Sequence, residues 1–184
     1  WSLKPSWANC APGPARFSGW PSSGKTTIAK GLESRKTGYV STDETRDRIY
    51  PGMFPLDIKY PSGWEAIWKS VCDQRDAHIM DGNNVVIDSC GQNSYIRGKF
   101  LYVLAERPYV RKTVVFLDTD EEELVHRERQ RGRDIAAIKR IKDAMLTDWE
   151  TPSQEEFSDA GLVVYRKLDP VAIISDLMAR LFDE

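Results

Sequence analysis

Residues 19–26 read Gly19-Trp20-Pro21-Ser22-Ser23-Gly24-Lys25-Thr26, and the octapeptide fits G-x-x-x-x-G-K-[ST] at every fixed position. The chemistry of each position explains the pattern. Gly19 and Gly24 permit backbone angles and close approaches that a Cβ blocks. The N–H groups of such a loop, around Ser22, Ser23 and Gly24, converge on an anion, and the helix that follows adds its positive end. Lys25 then reaches the β- and γ-phosphates of a nucleoside triphosphate, and the Thr26 hydroxyl ligates Mg²⁺. Thr27 falls in the same first helical turn and joins the phosphate-binding set. Trp20 either shields the nucleotide or lies on the surface. The rival reading is a glycine-rich turn that matches by chance, and a helix after it with a strand before it argues against that.

Outward from the loop, short β-branched runs alternate with longer helical patterns, a rhythm that predicts an α/β fold with a parallel sheet. The strand candidates are 15–18, 38–41, 84–88, 113–118 and 162–165. Val85-Val86-Ile87, Val114-Val115-Phe116-Leu117 and Leu162-Val163-Val164-Tyr165 are unbroken apolar runs, as strands buried on both faces require. Predicted helices span 26–34, 62–81, 93–105, 121–131, 135–149 and 171–182, with Asn93 able to cap the third and Pro108 just beyond it. The first strand is the weak point. Pro12 and Pro14 stand before it, and a central strand tolerates proline poorly, so a short or unusual strand is expected.

Composition narrows the function. The 184 residues suffice for one domain. A net charge of −2 argues against tight, extended binding to nucleic acid, whose affinity rests on phosphate neutralisation, but leaves room for a pocket gripping one or two phosphates. No apolar run approaches a membrane span, and residues 1–14 do not read as a signal peptide. The cysteines Cys10, Cys72 and Cys90 form no disulfide or metal pattern, which fits a cytoplasmic protein.

The second strand runs into Ser41-Thr42-Asp43-Glu44-Thr45-Arg46. Ligands of open α/β sheets sit beyond the carboxyl ends of the strands, so Asp43 stands at the cleft edge, where a carboxylate can take the proton of an attacking hydroxyl. The alternative is that Thr42 or Asp43 merely caps a helix. Arg46, one helical turn on, can hold an anionic group of the acceptor. After the fourth strand comes an acidic helix start, Asp120-Glu121-Glu122-Glu123, and then Arg127-Glu128-Arg129-Gln130-Arg131-Gly132-Arg133-Asp134. Arg127 and Arg131 share a helix face and suit a lid, at about residues 121–134, that stabilises charge on a transferring phosphoryl group. Gly132 is its plausible pivot. Arg129 and Arg133 read as a solvated helix end.

The phosphate loop, Ser41-Thr42-Asp43-x-x-Arg46, Val85-Val86-Ile87-Asp88, Arg127-x-x-x-Arg131-Gly132 and Glu150-Thr151-Pro152-Ser153-x-x-Glu156 together resemble the polynucleotide 5′-hydroxyl kinase group. That group includes the bacteriophage end-healing kinases and the kinase modules of some tRNA ligases, with the seryl-tRNA kinases as a related branch. The resemblance covers roughly residues 17–165. It implies a P-loop NTPase fold of three layers around a five-stranded parallel sheet, in the nucleoside-monophosphate-kinase-like arrangement with a lid. It implies ATP or GTP as phosphate donor, Mg²⁺ held at Thr26 with Asp88 as a ligand to its water or as a partner of Thr26, Asp43 as general base and Arg46 as acceptor-phosphate contact. Where the phage enzymes tend to read Asp-Thr-Asn, this chain reads Asp88-Ser89-Cys90, so the residues shaping the acceptor channel do not carry over. A nucleic-acid 5′ end, a nucleotide, a small metabolite and an aminoacyl-tRNA stay open as acceptors; a nucleotide-binding switch is the reading from another class. The aromatic-rich stretch from Tyr50 to Trp68 is expected to cover the acceptor site, with Trp64 and Trp68 themselves in the core.

Overall fold

A computed structural model describes residues 14–101, 112–156, 161–166 and 169–181. Its five strands are β1 (Pro14–Ser18), β2 (Thr37–Ser41), β3 (Asn84–Asp88), β4 (Thr113–Leu117) and β5 (Gly161–Tyr165). All pair in parallel, in the order β2-β3-β1-β4-β5. Each lies within a residue or so of its sequence expectation, because unbroken apolar runs are what a sheet covered on both faces demands. The proline problem at β1 resolves at its edge. Pro14 is the first residue of the strand, a position that proline tolerates, and β1 then occupies the centre of the sheet.

Helices cover both faces, giving three layers. On one face α1 (Lys25–Gly31) and α7 (Pro170–Leu181) pack Ile28, Leu32, Ile173 and Leu177 against Phe17, Val86, Val115 and Leu117. On the other, α3 (Ser62–Met80) and α4 (Ser94–Leu101) pack Trp68, Val71, Ile96 and Phe100 against Val40, Val85 and Ile87. Asn93 caps α4 as expected, its Oδ1 accepting from Ile96 N at 3.0 Å; the predicted continuation to residue 105 lies outside the described residues. The stretch expected as a lid, about residues 121–134, falls on α5 (Glu121–Gln130) and the turn into α6 (Ile135–Leu146). A further helix, α2 (Thr42–Ile49), carries the proposed base. Among the described residues no helix is long and apolar enough to cross a membrane.

Sequence reading did not anticipate the charge in this core. Arg16, in the middle of the central strand, is wholly buried, and its three guanidinium nitrogens have no hydrogen-bond partner among the described residues. It lies over the Phe100 ring at 4.8 Å. Burial, and next the neighbouring Arg97, push it down to about 9. Gly91 makes the room: a Cβ there, at φ +56, would collide with the Arg16 guanidinium.

Arg97 is also wholly buried but fully engaged. It donates to Glu156 at 2.7 and 2.5 Å and to the carbonyls of Gly91 and Glu150 at 2.9 and 2.7 Å. One side chain thus ties α4, the loop after β3 and the segment after α6 together. Breaking a buried ion pair strands the partner's charge. Glu156 keeps a partly exposed carboxylate, so Arg97→Leu is expected to cost about 2–3 kcal/mol, seen as a melting temperature lower by roughly 5–10 °C. An unchanged melt would show that the Glu156 staple contributes nothing.

Candidate active site

The cleft opens at the carboxyl ends of β1 and β3, where the strand order reverses and ligands of such sheets bind. Gly19 leaves β1 at φ +146, and a Cβ there would meet the Leu117 carbonyl and Ser23 Oγ, both at 2.9 Å. Gly24 ends the loop in the left-handed region at φ 101 and serves as the N-cap of α1. Ser22 is also left-handed, at φ 66. Inside the loop Lys25 Nζ donates to the carbonyls of Gly19 and Trp20 at 3.0 and 2.7 Å, with Ser23 Oγ at 3.4 Å. The loop is anchored to the end of β3, with Gly19 N donating to Cys90 O at 3.2 Å and Ser18 Oγ to the Cys90 and Gly91 carbonyls at 3.2 and 3.3 Å.

Whether this loop fits polyphosphate and metal can be judged from its polar atoms. Among the described residues Ser22 Oγ and Thr42 Oγ1 are buried without a hydrogen-bond partner, yet both residues line the cleft; oxygens of a ligand would supply the missing partners. Thr26 Oγ1 donates to Asp88 Oδ2 at 2.6 Å, and Tyr39 O–H donates to the same oxygen at 3.1 Å. Hydroxyl and carboxylate are the hard oxygen donors that Mg²⁺ takes. Among the described residues no group of three or more His, Cys, Asp or Glu could hold a metal. Burial, and next a hydrogen bond to Ser41 that works the other way, leave the Tyr39 hydroxyl well above its ordinary range, so it remains a donor.

Asp43 does not cap its helix. Ser41, still extended at φ −113, holds that position, its Oγ accepting from Glu44 N at 3.3 Å. The cap belongs to the residue whose backbone is not yet helical, and Thr42 and Asp43 are already inside the first turn. The Asp43 carboxylate is therefore not spent on backbone. It is 73% exposed on the cavity wall that also carries Lys25 and Thr26. Arg46 donates to Asp43 Oδ1 at 2.8 Å and to Asp47 Oδ1 at 3.0 and 2.8 Å. Expected to grip an acceptor phosphate, this guanidinium is shared between two carboxylates and orients one of them.

The lid arginines divide. Arg127 reaches the loop itself, donating to the Ser23 and Ser22 carbonyls at 3.1 and 3.4 Å and to Glu123 at 2.7 Å. Arg131 and Arg133 both line the cavity, and Arg133 is also 52% exposed to solvent, as the sequence suggested. They gather on Glu128, 2% exposed, at 3.8 and 3.4 Å. The turn between α5 and α6 brings them there: Gly132 N donates to Arg129 O and Arg133 N to Glu128 O, with Gly132 at φ 63. This is a glycine-terminated helix end that reverses the chain. Asp134 then caps α6 through Ala136 and Ala137. A second tie was not foreseen. Trp20 stacks on Trp149 with centroids 3.8 Å apart and planes 14° from parallel, so the phosphate loop and the chain leaving α6 share a ring contact.

The fold is the one shared by P-loop kinases of several substrates. More narrowly, the chain belongs to the AAA domain family, whose model matches residues 17–148. A gluconokinase from Sinorhizobium meliloti 1021 is similar in structure, with a TM-score of 0.67 at 16% identity over 94% of this chain and 93% of that one. The APS kinase CysC of Mycobacterium tuberculosis, solved with AMPPNP and APS, gives 0.66 at 14% identity over 95% and 99%. The Pnkp1/Rnl/Hen1 RNA repair complex gives 0.58 at 21% identity over 82% of this chain and 48% of that one. Comparison with curated protein sequences finds no match.

Proposed function

We propose that this chain is a phosphotransferase that uses ATP, or GTP, to phosphorylate a hydroxyl, and that the hydroxyl is the 5′-hydroxyl of a nucleic acid or nucleotide. The observation that carries the reading is the Asp43 carboxylate, left unspent by the Ser41 cap and facing the same cavity as Lys25 and Thr26. The triphosphate lies along residues 19–27, its negative charge met by loop N–H groups, Lys25 and the α1 N-terminus. Thr26 and Asp88 would hold Mg²⁺, which would supply neutralising charge to the triphosphate. Asp43, oriented by Arg46, accepts the proton of the attacking hydroxyl. Arg131 and Arg133 stand where charge builds on the phosphoryl oxygens, and Arg127 braces the loop. Rate enhancement then comes from positioning and fixed charge.

A second reading, a small-molecule hydroxyl, is favoured by the shape of the acceptor side. It is a chamber walled by α3 and α6, within a cavity of about 740 Å³, and not a long basic track. The test is acceptor-dependent ADP release with ATP, Mg²⁺ and a panel of hydroxyl compounds that includes 5′-hydroxyl oligonucleotides of graded length. We expect phosphate on the 5′ oxygen, similar rates for short and long strands, and a shallow salt dependence, since the log–log slope grows by ~0.7 per phosphate contacted on single strands. ATP binding with no acceptor-dependent ADP release from any compound would point to a switch.

A further inference from the structure

Resting on the kinase reading above, we infer that the acceptor chamber is built for an uncharged aromatic body bearing a hydroxyl. The 5′-terminal nucleoside of a nucleic acid and a free aromatic alcohol share that chemistry. Anionic aliphatic acceptors do not.

The walls make the first part of the case. Besides Asp43, the cavity lining includes Tyr60, Trp64 and Trp68 from α3 and the segment before it, and Ile138, Ile141 and Met145 from α6. The last three recur along α6 at a spacing that puts them on one stripe, so α6 turns an apolar face to the cavity. The sequence assigned Trp64 and Trp68 to the core. Trp68 is indeed 4% exposed, but both rings also form the chamber wall. The rings are not packed flat on one another: Tyr60 and Trp68 meet at 80° with centroids 6.1 Å apart, Trp64 and Trp68 at 35° and 6.3 Å. Tyr60 remains 51% exposed, with ring surface left for a further flat partner. Arg140 over the Phe54 ring at 5.4 Å bridges the α6 wall and the segment before α3.

Charge makes the second part. Among the described residues the cations lining the cavity are Lys25, Arg46, Arg131 and Arg133. Lys25 belongs to the phosphate loop, and Arg131 and Arg133 lie at the lid with Glu128. The acceptor side is left with Arg46, already shared by Asp43 and Asp47, and with Asp148 on the same lining. Burial and then Asp148 push the Tyr60 hydroxyl above its ordinary value, so the field of Asp148 reaches the aromatic wall. Lys99 lies over the Trp68 and Tyr95 rings at 5.4 and 4.7 Å and is paired with Glu65 at 2.6 Å. A carboxylate or phosphate entering here meets three aspartates and no uncommitted cation, whereas a neutral ring meets apolar surface and aromatic faces.

The experiment measures kcat and KM with ATP and Mg²⁺ for free nucleosides, nucleoside 3′-monophosphates, 5′-hydroxyl oligonucleotides, benzyl alcohol, gluconate and shikimate. It uses wild type, Tyr60→Ala, Tyr60→Phe and Trp64→Ala. Aromatic acceptors should exceed gluconate and shikimate by tenfold or more in kcat/KM. Tyr60→Ala should raise the aromatic acceptor's KM roughly 5–100-fold, the range of one base–aromatic contact, with the KM for ATP unmoved. Tyr60→Phe, which keeps the ring, should recover most of that loss. Because Trp64 also packs in the core, the exposed Tyr60 decides the matter if Trp64→Ala misfolds. Nucleosides matching oligonucleotides would name the terminal nucleoside as the source; benzyl alcohol matching both would name the free alcohol. Gluconate or shikimate preferred, or an acceptor KM indifferent to Tyr60→Ala, would overturn the inference and leave the kinase reading in place. Calorimetric binding of a nucleoside to wild type and Tyr60→Ala, without ATP, separates the two questions. Binding lost in the variant supports the chamber even if no acceptor turns over, a result that would sink the kinase reading alone; no nucleoside binding to wild type would count against the chamber.

Discussion

Lys25→Ala should lose phosphoryl transfer by roughly 10²–10³-fold or more, the scale set by removing one preorganised charge stabiliser, while the protein stays folded. Lys25 is 6% exposed, and its ammonium lies within 3.0 Å of two carbonyls of its own loop. Two consequences follow. Carbonyl oxygens fix the direction of the ammonium, so on the proposed mechanism its charge would reach the β- and γ-oxygens without a search through rotamers. Its removal also leaves the Gly19 and Trp20 carbonyls without their donor, so the loop should loosen and ATP affinity should fall together with turnover. Lys25→Met, which keeps most of the stem and loses both the charge and the donor, separates packing from electrostatics: it should recover only the packing share of any lost stability, and no activity. Labelled-phosphate transfer is measured beside circular dichroism and a melt. Wild-type transfer by a folded Lys25→Ala protein would remove the phosphate-loop mechanism altogether.

What the sequence disclosed and what it withheld follow a physical division. Val85-Val86-Ile87 and Val114-Val115-Phe116-Leu117 announced buried parallel strands because a sheet covered on both faces has no polar alternation to hide. Gly19 and Gly24 announced the loop because their backbone angles admit few other residues. Lone side chains whose partners lie far along the chain were silent. Arg16 falls within the first strand candidate, but nothing local shows that the fold seats its guanidinium over Phe100 beside Gly91. Glu150 and Glu156 stood out in the resemblance, but their common partner Arg97 did not, since nothing local marks an arginine as buried. Trp20 and Trp149 meet only in three dimensions. Ile138, Ile141 and Met145 could be read as a helix stripe, but not as the wall of a cavity, because periodicity gives a face and not what the face looks at. The cap of α2 was misplaced by one or two residues, the usual uncertainty of a helix end. Here that shift changes the chemistry, because it takes the capping duty away from Asp43.

That relocation sharpens the expectation for Asp43→Asn. With Ser41 holding the cap, the substitution removes no helix-terminal hydrogen bond. The amide oxygen can still accept from Arg46, and the Asp43–Arg46 pair is open enough to solvent that losing its charge should shift stability by about 0.5 kcal/mol or less. An amide cannot take a proton from an attacking hydroxyl. Turnover should therefore fall roughly 10²–10⁴-fold, the range of a positioned general base, with ATP affinity and melting temperature near wild type. Arg46→Ala should show a different pattern. It frees Asp43 to wander and leaves Asp47 without its partner, so kcat should fall less than in Asp43→Asn, and the two substitutions combined should be no worse than Asp43→Asn alone. Additive losses would mean that Arg46 acts on the acceptor directly, as the sequence reading had it, and not through Asp43. Normal turnover by Asp43→Asn would show that the proton leaves by another route, and the carboxylate at the edge of β2 would then be no more than an exposed residue beside the cleft.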